Sequence, residues 1–120
     1  MPDKIFRIDP IRPDPALIQR AARTMRSGGI IVFPTSGLYG LGADATNEEA
    51  VGRIFQIKHR TAAKPILILI GKTGQLDRLV TTIPEMAGNL IHRHWPGGVT
   101  LIFSARQNLP PNLTSGTGKI

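Results

Sequence analysis

A chain of 120 residues can bury one real hydrophobic core and is too short for two domains of ordinary size, so a single domain over residues 1–120 is expected. With 41% hydrophobic and 19% charged residues the composition excludes wholesale disorder, and the lack of cysteine excludes a disulfide framework, a thiolate nucleophile and cysteine-ligated metal. A formal charge of +7 makes polyanions such as nucleotides, RNA or DNA the natural partners, although general surface basicity explains the total about equally well.

The start, Met1-Pro2-Asp3-Lys4, lacks the basic opening and apolar run of a signal peptide, and no segment approaches the roughly 20 apolar residues of a membrane span, so a soluble cytoplasmic protein is expected. Residues 4–9 read as a short strand. Asp14-Pro15 predicts an N-cap with proline at the first helical position, and Leu17, Ile18, Ala21, Ala22 and Met25 follow at helical spacing until Ser27-Gly28-Gly29 stops the helix. Residues 30–33 read as a buried strand opening onto the glycine-rich stretch Pro34-Thr35-Ser36-Gly37-Leu38-Tyr39-Gly40-Leu41-Gly42.

Thr46-Asn47-Glu48-Glu49 has the form of a capping box, starting a helix that runs to about Lys58 with Ala50, Val51, Ile54 and Phe55 facing inward. Residues 66–70 are apolar on both faces and suit a central strand. A short helix over 75–80 follows, then a second threonine-to-glutamate cap, Thr82 to Glu85 with Pro84 just inside, and a helix through Met86, Leu90 and Ile91 ending near Trp95-Pro96-Gly97-Gly98. Residues 99–103 form the next strand. This alternation of strands and helices predicts an α/β layered domain. The last residues, Gly116-Thr117-Gly118-Lys119-Ile120, enter a strand and stop, as expected of a truncated piece of a longer protein.

Most familiar motifs fail. Gly37, Gly40 and Gly42 stand in the wrong order for a dinucleotide fingerprint, and a phosphate loop ending at Gly118-Lys119 lacks its first glycine and its hydroxyl residue. His92 and His94, two apart on a helix, point in different directions and make a poor metal pair. What remains is a cation group, Lys58, Arg60 and Lys64, beside Pro65 and the apolar run, and the hydroxyl-bearing bend at Thr35 and Ser36. Ammonium and guanidinium groups are poor bases at neutral pH, and their natural work is to bind phosphate and stabilise charge developing during its transfer. An exposed helix terminus with favourable dipole contacts is the competing account of the cations, and an ordinary strand-to-loop turn that of the bend. Tyr39 and Trp95-Pro96 are candidates to wall a pocket.

Phe33-Pro34-Thr35 with Tyr39-Gly40-Leu41-Gly42-Ala43-Asp44-Ala45, then Ile54-Phe55 leading to Lys58-His59-Arg60, then Lys64-Pro65, then Trp95-Pro96-Gly97 with Thr100, resembles the YrdC-like threonylcarbamoyl-AMP synthases. The order and spacing of the blocks match over residues 18–120. The resemblance implies a twisted, open mixed sheet with helices packed on it and a basic concave face. It also implies a nucleotidyltransferase reaction: L-threonine and bicarbonate give a carbamate that attacks the α-phosphate of ATP, leaving L-threonylcarbamoyladenylate and pyrophosphate. The adenylate then serves tRNA threonylcarbamoyladenosine modification through downstream tRNA-modification proteins. Lys58 and Arg60 match the family's Lys-x-Arg pair, implying catalytic and ATP-binding roles. Lys64 matches a nearby ATP contact, Thr35 lies in the segment for threonine, and Mg²⁺ would ride on the ATP phosphates.

Many members read Pro-Thr-Glu-Thr where this chain has Pro34-Thr35-Ser36-Gly37, which implies an altered amino-acid side of the pocket or a ligand held by backbone groups. Members also continue into a further strand carrying arginine and a Ser-x-Asn motif, so the 120-residue form is expected to be inactive while its parent is an enzyme. The alternative function is a non-catalytic domain binding double-stranded RNA or tRNA through the same basic face. A third is the related domain of hydrogenase-maturation carbamoyltransferases.

Overall fold

The computed structural model describes residues 4–61 and 63–120; Met1-Pro2-Asp3, read above for a leader, and Ala62 lie outside the described residues. The chain divides into two compact units, Met1–Ile57 and Lys58–Ile120. Among the described residues no helix is long and apolar enough to cross a membrane.

In the first unit the expected strand over 4–9 does not form. The run ends at Pro10, which has no N–H for a ladder, and Asp9 Oδ1 instead accepts the amides of Ile11 at 2.8 Å and Arg12 at 3.1 Å. Helix α1, Pro15–Arg26, begins as expected: Asp14 Oδ1 accepts the Ala16 N–H at 2.9 Å, and Pro15 occupies a position where no amide partner is needed. It ends where Ser27 N–H reaches the Arg23 carbonyl and Gly28 takes φ +87°. Leu17, Ala21, Ala22 and Met25 are half-buried on one flank, whereas Ile18 is exposed.

Strand β1, Ile31–Phe33, which α1 touches, pairs antiparallel with β2, Gly40–Gly42, in the register Ile31 to Gly42, Val32 to Leu41 and Phe33 to Gly40. The second strand carries two glycines because the Phe33 ring lies across them. A Cβ on Gly40 would meet Phe33 Cζ at 3.0 Å, and one on Gly42 would meet Cε1 at 2.8 Å. Helix α2, Glu48–Ile57, buries Ala50, Val51, Ile54 and Phe55, the stripe expected from spacing. Its cap is Asn47 and not Thr46: Asn47 Oδ1 accepts the Ala50 N–H at 3.0 Å, while both the amide and the hydroxyl of Thr46 are held by Asp44 Oδ1, at 2.9 and 2.7 Å.

The second unit is built on Leu76, Val80 and Phe103, with Ile70, Ile91, Trp95 and Ile120 packed against them. A 3-10 helix, Thr73–Arg78, opens with Gln75 Oε1 accepting the amides of Gly71 at 2.7 Å and Lys72 at 3.2 Å. Helix α3, Glu85–His94, has Pro84 at its cap and no side-chain cap bond, so the expected Thr82 capping box is absent. A short helix α4, Pro111–Thr114, buries Leu113.

The strands expected over 66–70 and 99–103 are not laddered. Residues 66–70 alternate half-buried isoleucines with exposed Leu67 and Leu69, the period of an extended chain, but among the described residues their backbone contact is a single long bond from the Ile66 N–H to the Leu113 carbonyl, 3.5 Å. Pairing near 99–103 is displaced to its end, where Phe103 and Ile120 exchange bonds of 2.8 and 3.0 Å, Ser104 bridges Lys119, and Ala105 bridges Val80. The α/β character stands; the sheet among the described residues is the two-stranded β1–β2 pair.

Candidate nucleotide-binding site

The cation group is organised by the way α2 stops. The helix ends at Ile57, one residue short of the expected end, so Lys58 sits just beyond the last turn. His59 then takes φ 50°, the left-handed conformation that commonly breaks a helix and turns the chain sharply. Arg60 folds back over the following loop: its Nη2 donates to the Pro65 carbonyl at 2.7 Å and its Nε to the Lys64 carbonyl at 3.4 Å. A further turn is closed by the Lys64 N–H on the Thr61 carbonyl, 3.1 Å. Arg60 is half-buried, whereas Lys58 and Lys64 are exposed.

This loop brings Arg60 against the backbone of Lys64 through its side chain. A guanidinium carries five N–H donors, and two of Arg60's serve the loop, leaving three to turn toward an anion. Lys58 and Lys64 supply mobile ammonium groups on either side of it in sequence. The arrangement suits an oxyanion bearing several charges, because a planar donor fork fixes direction while ammonium groups adjust.

Thr35 belongs to the first unit, in the connection between β1 and β2. Its hydroxyl donates to the Leu38 carbonyl and accepts the Gly37 N–H at 3.2 Å, so it closes the bend on itself. Ser36, Gly37 and Tyr39 are exposed around it.

The second unit also holds a cavity of about 670 Å³, walled by residues 65–73, by Trp95-Pro96-Gly97 and by 99–103. Trp95 is fixed there by its Nε1–H on the Val99 carbonyl, 2.7 Å, so the expectation that Trp95-Pro96 walls a pocket is met, whereas Tyr39 does not line it. Lys58, Arg60 and Lys64 do not line it either; the wall begins at the next residue, Pro65. The cations that do line it are Lys72 and Lys119, the latter 3.4 Å from Ser104 Oγ. Sequence reading missed both, for they are far apart along the chain and Lys119 belongs to a motif dismissed for lacking its glycine. His92 and His94 are exposed in the last turn of α3, and among the described residues no three His, Asp or Glu side chains gather as metal ligands.

The Sua5–YciO–YrdC family model, described as telomere recombination, matches residues 23–120. The threonylcarbamoyl-AMP synthase of Pyrococcus abyssi is 43% identical over 99 residues, covering 82% of this chain and 29% of that protein. The synthase of Bacillus subtilis is 39% identical over 104 residues, covering 86% and 30%. The crystal structure of P. abyssi Sua5 complexed with L-threonine superposes with a TM-score of 0.87 at 40% identity, covering 91% of this chain and 32% of that one. The chain thus spans about a third of the length of these relatives.

Proposed function

Because this chain belongs to the Sua5–YciO–YrdC family, we propose that it forms the ATP- and L-threonine-binding part of a threonylcarbamoyl-AMP synthase, with the loop from Lys58 to Pro65 as its phosphate-binding element. The observation that carries the reading is the Arg60 clasp on the Lys64 and Pro65 carbonyls, which holds a guanidinium and the backbone of Lys64 in one turn. In this reading Lys58, Arg60 and Lys64 bind the ATP phosphates, and Thr35 serves threonine binding.

In the parent enzyme the amine of L-threonine attacks bicarbonate and water leaves, giving a carbamate. A carbamate oxygen attacks the α-phosphorus of ATP, the bond from that phosphorus to the bridging oxygen breaks, and pyrophosphate leaves with the electron pair. Negative charge grows on the phosphate oxygens as this happens, and cations held in place stabilise it without rearranging. Magnesium enters as the companion of ATP, carried on its phosphates. The adenylate is then passed to the proteins that modify tRNA.

Calorimetric titration of Mg·ATP into the wild-type chain and into Lys58→Ala and Lys64→Ala tests the assignment. A hydrogen bond to a charged group contributes ~1.5–3 kcal/mol, so each substitution is expected to weaken ATP binding by about tenfold or more. Unchanged affinity in both variants refutes the assignment.

A further inference from the structure

Two segments of the second unit keep the period of a strand without the bonds of one. Over 66–70 the isoleucines are half-buried while Leu67 and Leu69 are exposed, and over 100–103 exposed Thr100 and Ile102 alternate with half-buried Leu101 and buried Phe103. Among the described residues, the amides and carbonyls of 67–70 and 100–102 make no backbone hydrogen bond. The Val99 carbonyl is taken by the Trp95 side chain. Both segments border the cavity of about 670 Å³.

Backbone groups in an extended run without a protein partner form an open edge, which a further strand can pair. Five residues at ~3.3–3.4 Å each give roughly 17 Å, the length of an ordinary strand. A compact ligand would leave most of these amides and carbonyls unpaired, whereas an extended polypeptide pairs them in series. Leu67, Leu69 and Ile102 offer its apolar side chains neighbours on the exposed face. Charge sits at the ends of the segments: Lys72 lies two residues beyond the first, and Lys119 bridges Ser104, one residue beyond the second. Both lysines line the cavity and no carboxylate does.

We propose that the cavity edge formed by residues 66–70 and 99–103 docks an extended strand of another protein, a run of about five apolar residues flanked by Asp or Glu. Backbone bonds give the register, and Lys72 and Lys119 meet the flanking carboxylates. A second copy of this chain fits less well, because each copy carries a formal charge of +7 and brings the same two lysines. The surface goes beyond the adenylate-forming reading and does not depend on it.

Hydrogen exchange followed by NMR tests the proposal, with a synthetic peptide of about five valine and isoleucine residues flanked by glutamates as the probe. The amides of 67–70 and 100–102 are expected to exchange freely in the protein alone and to slow by about tenfold or more with the peptide. N-methylation of alternate peptide residues removes the donors along one edge and should weaken binding by about tenfold or more. Lys72→Glu/Lys119→Glu should reverse the charge preference, favouring a lysine-flanked peptide of the same centre, with circular dichroism verifying the fold. Four results overturn the proposal: no slowing by the glutamate-flanked peptide, equal binding of its N-methylated form, an unreversed preference in the double variant, or slow exchange without peptide at the concentration of the assay, which names a second copy as the occupant. Mg·ATP titration of the double variant reads the phosphate-binding loop separately, so either assignment can fail alone.

Discussion

Replacing Gly42 by alanine should destabilise the first unit through one ring. A Cβ at that position would stand 2.8 Å from Phe33 Cε1 and 3.3 Å from Cδ1. Carbon pairs settle at ~3.5–4.0 Å, so the ring must retreat by roughly 0.7 Å, away from its place over β2. Forcing an extra carbon into such a contact costs ~1–3 kcal/mol. Alanine returns ~0.5–1 kcal/mol, because glycine in a strand loses more backbone freedom on folding. The net expectation is a loss of about 1 kcal/mol and at most ~2.5 kcal/mol, read as a lower urea midpoint with an unchanged m-value by circular dichroism. Phe33→Leu removes the obstructing ring atoms, so in that background Gly42→Ala should be neutral or slightly stabilising, a coupling of about 1–3 kcal/mol, the steric cost itself. Equal effects of Gly42→Ala in both backgrounds would refute the claim that the ring is what demands glycine.

Leu113, in α4, is 1% exposed, and Leu113→Ala should lower stability by about 2–5 kcal/mol in the same assay. His59, at φ 50°, should tolerate glycine without loss, whereas His59→Val should cost ~1–2 kcal/mol because a branched side chain crowds the left-handed backbone. The amides of Ile11 and Arg12 hold the Asp9 carboxyl below its ordinary value, so its NMR titration midpoint should fall below 3.8. With the folded value depressed, the small stabilisation from these bonds is present above the unfolded pKa and lost as pH falls through the folded one. Asp14→Ala removes the α1 cap and should cost about 1 kcal/mol in the urea assay.

The helices were legible because their signals are local. Asp14-Pro15 and Ser27-Gly28 bracket α1 with groups that act within a few residues, and the inward stripe of α2 follows from spacing alone. Errors arose where two local signals compete: Thr46 and Asn47 are both good caps, and the choice fell to Asp44, which captures Thr46 from two residues upstream. Strand pairing was less legible, because an apolar run reveals that a segment is extended but not which backbone it bonds. The run over 66–70 keeps the strand period and lacks the ladder, while Gly40-Leu41-Gly42 pairs despite poor strand formers because of Phe33. The cations of the candidate site are adjacent in sequence and were visible for that reason. The Arg60 clasp was not, since carbonyl acceptors leave no mark in side-chain identity.

Leu67, Leu69 and Ile102 are 65%, 70% and 76% exposed, and all three border the same cavity. Water held against such an oily seam is released whenever two molecules meet there, so crowding favours clumping over dispersal. Concentrated samples will cloud on warming, when this driving force grows, and a mild detergent will clear them. A lysine in place of Leu69 should raise the concentration at which that happens while leaving the buried Leu76–Phe103 cluster untouched.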